Sequence, residues 1–409
     1  PIMAAFRGYF QGMQNMKPTA LSQIIEQIFR VVFGLLLAFF LVGMGVEYAA
    51  AGGTFGATAG AAAGLVCMAV IYSKFKNAAS FRKRREEARA ERDAARQVST
   101  GQIIRKIVWI AVPITVGAAV MPIMYNIDMW VVPARLSYAG FDPESVRSMY
   151  GQLTGFAEPL TNLPKVLTQA IAVSMVPAIV RAWKQKDKAG LEQNVTLGFR
   201  LALIIGLPCT VGFMILSQPI MLLLYPGKPE DAVGAAPALF IFAIGVVFLS
   251  SIDALTSVLQ GIGKQMIPFV NIAIGAACKL VITYCLTGIP IFNIRGAAIG
   301  TVCAYMIATV LNYRAVVVFT GTRFDFSLTF LRPAISAGGM GVVAAIVYFV
   351  LEPAAGGKLA AVGAILLAIV VYIILLFVTH SIRGDELKLL PKGDKIYRIY
   401  KKITGKFEK

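Results

Sequence analysis

Charged residues are scarce in this sequence of 409 residues. Only 15% are charged, whereas 57% are hydrophobic and the mean hydropathy is +0.72. An ordinary soluble domain carries about 25% charged residues, so this composition excludes that class, and the apolar surplus must face lipid. The backbone must then be hydrogen-bonded internally, which favours helices. The sequence therefore predicts an all-α polytopic membrane protein.

Histidine is almost absent, and the cysteines show no pairing. His380 is the single histidine. The five cysteines lie inside apolar stretches, without the CxxC spacing of metal or redox sites: Cys67, Cys209, Cys278, Cys285 and Cys303. No nucleophile–base pair or phosphate-binding glycine loop is recognisable. We therefore expect no metal site, no cofactor and no enzymatic activity.

Acidic residues are outnumbered, with 21 Asp and Glu against 39 Lys and Arg and a formal net charge of +18. A basic protein can bind nucleic acid. Here, however, the basic residues lie in the short connections between apolar blocks, a pattern that sets orientation in a membrane. We expect membrane lipids, and no nucleic acid, among the partners.

Apolar blocks of about 20 residues are what the sequence has in abundance. A helix of that length crosses a hydrocarbon core of about 30 Å. Ten blocks predict ten spans, at 19–42, 53–75, 103–132, 150–181, 195–217, 233–260, 266–288, 295–319, 331–351 and 358–380.

Basic segments predict the orientation of these spans. The arginine-rich linker 76–102 is placed in the cytoplasm. Alternation of the spans then places the tail, 382–409, on the same side. In the tail, Ile396, Ile399 and Tyr400 recur at helical spacing among lysines. This pattern predicts a basic amphipathic helix on the anionic inner leaflet.

An internal repeat is visible in the sequence. Gly12 and Gly261 are 249 positions apart, as are Arg30 and Lys279. Further on, the Gly56–Gly60 segment is matched with Gly296–Gly300. This indicates two parallel repeats, a known transporter design. Because little sequence precedes the first copy, we expect about four spans, roughly 148 residues, to be missing before it.

Polar side chains form stripes within the apolar blocks. Three predicted spans each carry four polar side chains on one helix face. These sets are Glu158, Asn162, Lys165 and Gln169; Thr19, Gln23, Glu26 and Arg30; and Ser250, Asp253, Ser257 and Gln260. A fourth span carries Asn271 and Lys279. Such groups line a cavity or pair structurally, because they are costly in lipid. Glu26 and Arg30 can neutralise each other. Lys165 and Lys279 have no such acid on their own helices, which favours an anionic ligand.

One segment resembles a known family. The run from Arg7 to Ala20, RGYFQGMQNMKPTA, and its continuation through Gln27 resemble the stage V sporulation protein B and MurJ-type lipid flippases. These belong to the MATE-like multidrug/oligosaccharidyl-lipid/polysaccharide (MOP) superfamily. Phe156–Leu160 and Val173–Pro177 resemble the family's eighth span.

The resemblance implies a fold and a domain organisation. The fold is a MATE-like bundle of two six-helix lobes plus two C-terminal helices. Residues 1–75 would be the remainder of the N-terminal lobe, 76–102 the linker, 103–319 the C-terminal lobe, 320–381 the two extra spans and 382–409 the tail.

The resemblance also implies a function. It implies export of undecaprenyl-pyrophosphate-linked sugars, typically the peptidoglycan precursor lipid II, across the bacterial cytoplasmic membrane by alternating access. Other lipid-linked polysaccharide units, and a sporulation role, stay open. Arg30, Lys279 and Lys165 would engage the pyrophosphate, and Gln23, Asn162 and Gln169 would contact sugar or peptide. Arg7 and Glu26, which lie in the family motif, are further candidates for substrate binding.

Two rival functions stay open at this point. A cation-coupled multidrug antiporter of the same fold would use Asp128, Glu158 or Asp253 for the coupling ion or a cationic drug. A scaffold for envelope or spore-coat synthesis would not transport, and polar stripes would be wasteful in it.

Overall fold

A computed structural model of the chain describes residues 2–12, 17–77 and 99–381. Its elements there are helices, and no strand occurs in these ranges. The prediction of an all-α protein is therefore confirmed. By contact the chain divides into two compact units, Pro1–Lys106 and Ile107–Lys409.

Within residues 2–12 and 17–77, the first unit contains three helices. They are α1 (Ile2–Gly12), α2 (Lys17–Leu41) and α3 (Val46–Asn77), with a short 3-10 turn, Val42–Met44, between the last two. The helix that follows, α4 (Thr100–Tyr138), continues into the second unit.

Up to residue 381, where the description of the structure ends, the second unit is built from α4 and nine further helices. These are α5 (Pro143–Gly151), α6 (Glu158–Lys184), α7 (Lys188–Ile215), α8 (Ser217–Leu224), α9 (Pro229–Gly261), α10 (Met266–Thr287), α11 (Asn293–Thr320), α12 (Arg332–Ala355) and α13 (Gly357–Val378). A π-helical turn, Gln152–Ala157, joins α5 to α6, and another, Ser327–Leu331, precedes α12.

Nine segments in the described ranges are long and apolar enough to cross a membrane. They correspond to nine of the ten predicted spans. The remaining span, 103–132, lies within the 39-residue helix α4, several of whose side chains lie outside the described set. Most of the linker and the whole tail, 78–98 and 382–409, also lie outside the described residues.

Helix α9 forms the centre of the second unit. It packs against α6, α7 and α11, and 56% of its most apolar window is buried. Small side chains permit this close approach, since Ala235, Ala238 and Ala243 are fully buried.

The proline in α7 has a partner on another helix. Pro208 has no N–H to donate to the carbonyl of Ile204, four residues earlier. The hydroxyl of Tyr372 on α13 donates to that carbonyl at 2.6 Å. This bond satisfies the freed acceptor and ties α13 to α7.

Helix α5 begins with a side-chain cap outside the spans. The carboxylate of Asp142 accepts the backbone N–H groups of Glu144 and Ser145, both at 3.1 Å. Hydrogen bonds from Ser145, first of all, hold the pKa of Asp142 below its usual value. The carboxylate also suits the positive end of the helix dipole.

The internal repeat is visible in helix contacts within each unit. In the first unit, Gly56 on α3 faces the carbonyl of Arg30 on α2. In the second, Gly300 on α11 faces the carbonyl of Lys279 on α10. These contacts support the equivalence of Arg30 and Lys279.

The glycine register assumed from the sequence is wrong by one helical turn. Gly52 faces Leu37, and Gly296 faces Leu286, its counterpart 249 positions on. Gly52, rather than Gly56, is therefore the equivalent of Gly296. The two copies were misaligned because α3 carries a glycine every four residues from Gly52 to Gly64. A shift of one helical turn therefore still aligns glycine with glycine.

Candidate functional site

Three charged side chains form a network in the first unit. Arg7 Nη2 lies 2.8 Å from Glu26 Oε2, and Arg30 Nη2 lies 2.9 Å from Glu26 Oε1. Arg7 Nε also donates to the hydroxyl of Ser22 at 3.0 Å. The predicted Glu26–Arg30 pair therefore exists, but Glu26 is shared by two arginines. The network retains an excess of one positive charge.

Arg30 is the accessible member of this network. Its side chain is 42% exposed, compared with 12% for Glu26 and 17% for Arg7. Arg30 Nε is itself buried and has no hydrogen-bond acceptor within the described part of the chain. Arg30 thus keeps donor capacity that Glu26 does not use.

Helix α2 also carries the predicted glutamine. Gln23 is exposed and lines a shallow cavity of about 420 Å³ together with Gln27 and Ala20. Gln23 and Arg30 lie on the same helix, seven residues apart, and so share a face.

In the second unit, Lys279 is buried and paired. Its ammonium group lies 2.5 Å from Asp128 Oδ2 and donates to the carbonyl of Met124 at 3.2 Å. Lys279 is 2% exposed and Asp128 is 5% exposed. Lys279 indeed has no acid four residues away on α10, but α4 supplies one. The expectation that Lys279 is uncompensated is corrected by this contact.

The repeat explains why the two cations are neutralised differently. The residue equivalent to Glu26, 249 positions on, is Gly275. A Cβ there would lie 2.6 Å from the backbone carbonyl oxygen of Ala304, so no side chain fits. An acid four residues before Lys279 is therefore excluded, and the counter-charge comes from Asp128 on another helix.

A second acid and base lie where α6 meets α9. The hydroxyl of Thr168 donates to Asp253 Oδ2 at 3.2 Å. Lys165 is close enough to Asp253 for their charges to attract. Lys165 is half-buried and is not part of a close ion pair in the described ranges. The carboxylate that attracts Lys165, that of Asp253, again lies on a different helix.

Only some of the other predicted residues of α6 lie near the charged side chains described above. Glu158 is close enough to Asp128 for the two carboxylates to repel each other. Asn162 lies close to Tyr125 on α4, a neighbour that sequence reasoning missed. Gln169 is exposed near the middle of α6, and no contact in the described residues joins it to the charged side chains named above.

Sequence reasoning also missed an apolar cavity between α7, α9, α11 and α12. It has a volume of about 340 Å³, and its lining includes Phe199, Leu203, Val247, Val310 and Phe330. Periodicity could not have revealed it, because apolar side chains in a membrane helix look alike whether they face lipid, core or cavity. In residues 2–12, 17–77 and 99–381, no group of three His, Cys, Asp or Glu side chains is arranged to hold a metal ion.

Two family models match the chain. The polysaccharide biosynthesis protein family matches residues 1–183, and the MatE family matches residues 153–285.

Curated relatives match over most of the chain. Stage V sporulation protein B from Bacillus subtilis (strain 168) is 27% identical over 394 residues, which cover 95% of this chain and 72% of the relative. Lipid II flippase MurJ from the same organism is 27% identical, covering 86% of this chain and 64% of the flippase. The chain thus spans less than two thirds of that flippase's length.

A solved structure matches the fold. Lipid II flippase MurJ in an inward closed conformation superposes with a TM-score of 0.63 at 16% identity, covering 92% of this chain and 70% of that one. One of the curated relatives is named as a flippase, which agrees with the expectation of a transporter rather than an enzyme. The chain is a multi-pass membrane protein, homologous to stage V sporulation protein B and lipid II flippase MurJ, and it shares the helical fold of the solved flippase.

Proposed function

We propose that the protein moves a lipid-linked saccharide carrying a pyrophosphate across the bacterial cytoplasmic membrane by alternating access. The cargo proposed first is the undecaprenyl-pyrophosphate-linked precursor lipid II. The observation that carries the proposal is the Arg7–Glu26–Arg30 network, which retains a positive charge and exposes Arg30 within a membrane-spanning helix. The name of a homologue, lipid II flippase MurJ, supports the same cargo.

The chemistry of the cargo suits Arg30. A diphosphate presents several anionic oxygens, and a guanidinium can bind two of them at once through parallel N–H groups. Glu26 orients Arg30 from one side, which reduces the side-chain entropy lost on binding. Gln23, on the same face of α2, would donate to or accept from hydroxyls and amides of the saccharide.

Lys165 and Lys279 are proposed as further cationic contacts, with different accessibility. Lys165 is half-buried and outside any close pair in the described ranges, so it can meet an anion directly. Lys279 would have to leave Asp128 or share its ammonium protons with both groups. Asn162 and Gln169 on α6 would contact the polar part of the cargo.

A second candidate function rests on the excess of acid in the second unit. Three carboxylates, Asp128, Glu158 and Asp253, lie near two lysines, Lys165 and Lys279. The group carries a negative charge when all members are ionised. Such a group suits a coupling cation, or a cationic drug in an antiporter of the same fold.

The orientation belongs to the proposal as well. The short connections at one end of the second unit carry Lys184, Lys186, Lys188 and Lys264, and basic connections stay in the cytoplasm. We therefore place this end, and with it the C-terminus, in the cytoplasm.

Translocation measured in liposomes tests the proposal. The full-length gene product would be reconstituted, and movement of a fluorescent undecaprenyl-pyrophosphoryl sugar would be followed beside movement of a cationic drug. We expect Arg30→Ala to reduce lipid translocation at least about tenfold, the effect of losing one charge-assisted bond. Arg30→Lys should recover only part of the rate, because it keeps the charge without the planar fork.

Controls separate the site from general effects of charge. Arg147→Ala removes an exposed arginine of α5 and should leave both rates unchanged. If Arg30→Ala translocates lipid at the normal rate, the assigned site is wrong. Drug movement alone, abolished by Asp253→Asn, would establish the antiporter instead.

A further inference from the structure

A basic cavity lies where α6 ends, α7 begins and α11 ends. Its volume is about 510 Å³. Three lysines line it, Lys184, Lys186 and Lys188, together with Asp187 and the aromatic rings of Trp183 and Phe319. The cavity is large enough for a ligand headgroup.

The lining carries an excess of positive charge. The three lysines are exposed and take no part in the ion pairs found in the described ranges. Asp187, whose carboxylate accepts the N–H of Gly190 at 2.9 Å and caps α7, offsets only one of the three lysines. Like charges around one cavity repel one another, and an anion bound there would relieve this repulsion.

The cavity lies at the surface of the membrane. The segments on either side, Pro143–Lys184 and Lys188–Ile215, are both membrane spans, so only three residues connect them at this surface. Trp183 and Phe319 are aromatic residues of the kind enriched at headgroup level. The ammonium of Lys264 lies 4.9 Å from the ring centroid of Phe319 and adds a fourth cation beside the cavity.

We propose that this cavity binds the headgroup of an anionic phospholipid from the adjacent leaflet. The lysines would contact the phosphodiester, and Trp183, Leu191 and Phe319 would lie along the glycerol and upper acyl region. Basic pockets at the ends of membrane helices bind anionic headgroups in this way. None of the residues proposed above for cargo or coupling lines the cavity, so the site is additional to the proposed function.

Trp183 provides the measurement. The full-length gene product would carry Trp183 as its only tryptophan, with Trp109→Phe and Trp130→Phe among the replacements. It would be reconstituted in mixtures of phosphatidylcholine and phosphatidylglycerol in which one or the other lipid has brominated chains. Quenching of Trp183 then reports which lipid lies beside the cavity.

We expect brominated phosphatidylglycerol to be preferred at least about fivefold over brominated phosphatidylcholine, since each nearby lysine attracts an anionic headgroup. The preference should fall as salt increases. It should vanish when Lys184, Lys186 and Lys188 are all changed to Gln.

The matched control removes three exposed basic residues elsewhere in the second unit: Lys228→Gln, Arg295→Gln and Lys358→Gln. This variant should keep the preference. Equal quenching by both lipids in the parent protein, or a preference unchanged by the cavity substitutions, would overturn the proposal. Displacement of phosphatidylglycerol by stoichiometric undecaprenyl pyrophosphate would also overturn it, by assigning the cavity to cargo. Because the readout is lipid contact, failure of the transport proposal leaves this result unaffected.

Discussion

Lys279 shows how a buried partner changes the meaning of a substitution. Removing the lysine would leave Asp128 as an unpaired charge, 5% exposed in a membrane-spanning unit. A loss of transport in Lys279→Ala would therefore combine lost stability with any lost contact to cargo. Stability and transport have to be measured on the same variants.

We expect Lys279→Met to lower the free energy of unfolding by about 3–5 kcal/mol, because the carboxylate of Asp128 stays buried without its counter-charge. The double variant, Asp128→Leu with Lys279→Met, should recover most of this loss, since apolar replacement of a buried pair is often neutral. Unfolding in mixed micelles, followed by circular dichroism, gives these values.

Lys165→Met is the comparison for that series. Lys165 is half-buried and makes no close ion pair in the described ranges, so its loss should cost no more than about 1 kcal/mol. If Lys279→Met has the same free energy of unfolding as the wild type, the ion pair between Lys279 and Asp128 does not form in the membrane. A double variant that is stable but inactive in translocation would show that the Asp128–Lys279 pair serves transport as well as stability.

At the scale of elements, α2 and α3 pack with their backbones in close contact. A Cβ on Gly56 would lie 2.6 Å from Cα of Gly34, on the facing helix. A Cβ on Gly53 would meet nothing within 4 Å. The two glycines lie three residues apart on one helix and differ only in what they face.

Gly56→Ala should therefore be less stable than Gly53→Ala by about 1–3 kcal/mol, the cost of overpacking a rigid contact. Both variants gain the higher helix propensity of alanine, about 1 kcal/mol, so that their difference isolates packing. The same unfolding measurement decides it. Equal stabilities would mean that α2 and α3 lie farther apart than the structure has them.

At the scale of the whole molecule, charge separates the two ends of the second unit. Lysines surround the ends of α6 and α11, whereas the connection before α9 has only Lys228 beside Glu230 and Asp231. The proposed orientation follows from this asymmetry.

Cysteine labelling in intact cells tests the orientation. In a background without other cysteines, we expect Lys228→Cys to react with a membrane-impermeant maleimide from outside. Gln185→Cys, exposed in the connection between α6 and α7, should react only after permeabilisation. The opposite pattern would invert the proposed orientation and place the C-terminus outside.

Much of the architecture was predictable from the sequence because lipid imposes simple rules. A backbone in hydrocarbon must form helices, and about 20 apolar residues must cross it. These rules predicted ten spans, and nine of them match candidate membrane spans in the described ranges. Side chains four apart on a helix must be neighbours, and this rule found the Glu26–Arg30 pair.

The tertiary structure decided which helix partners each charge has. Asp128 reaches Lys279 across 151 positions of sequence, and helical periodicity carries no information about such distances. It likewise decided the glycine register, because equally spaced glycines fit a neighbouring helix at more than one turn until backbone contact selects one. The sequence alone determined that this is an all-helical membrane protein with ionisable groups in its spans; the packing of the helices decided which of those groups neutralise one another and which, like Arg30, stay accessible.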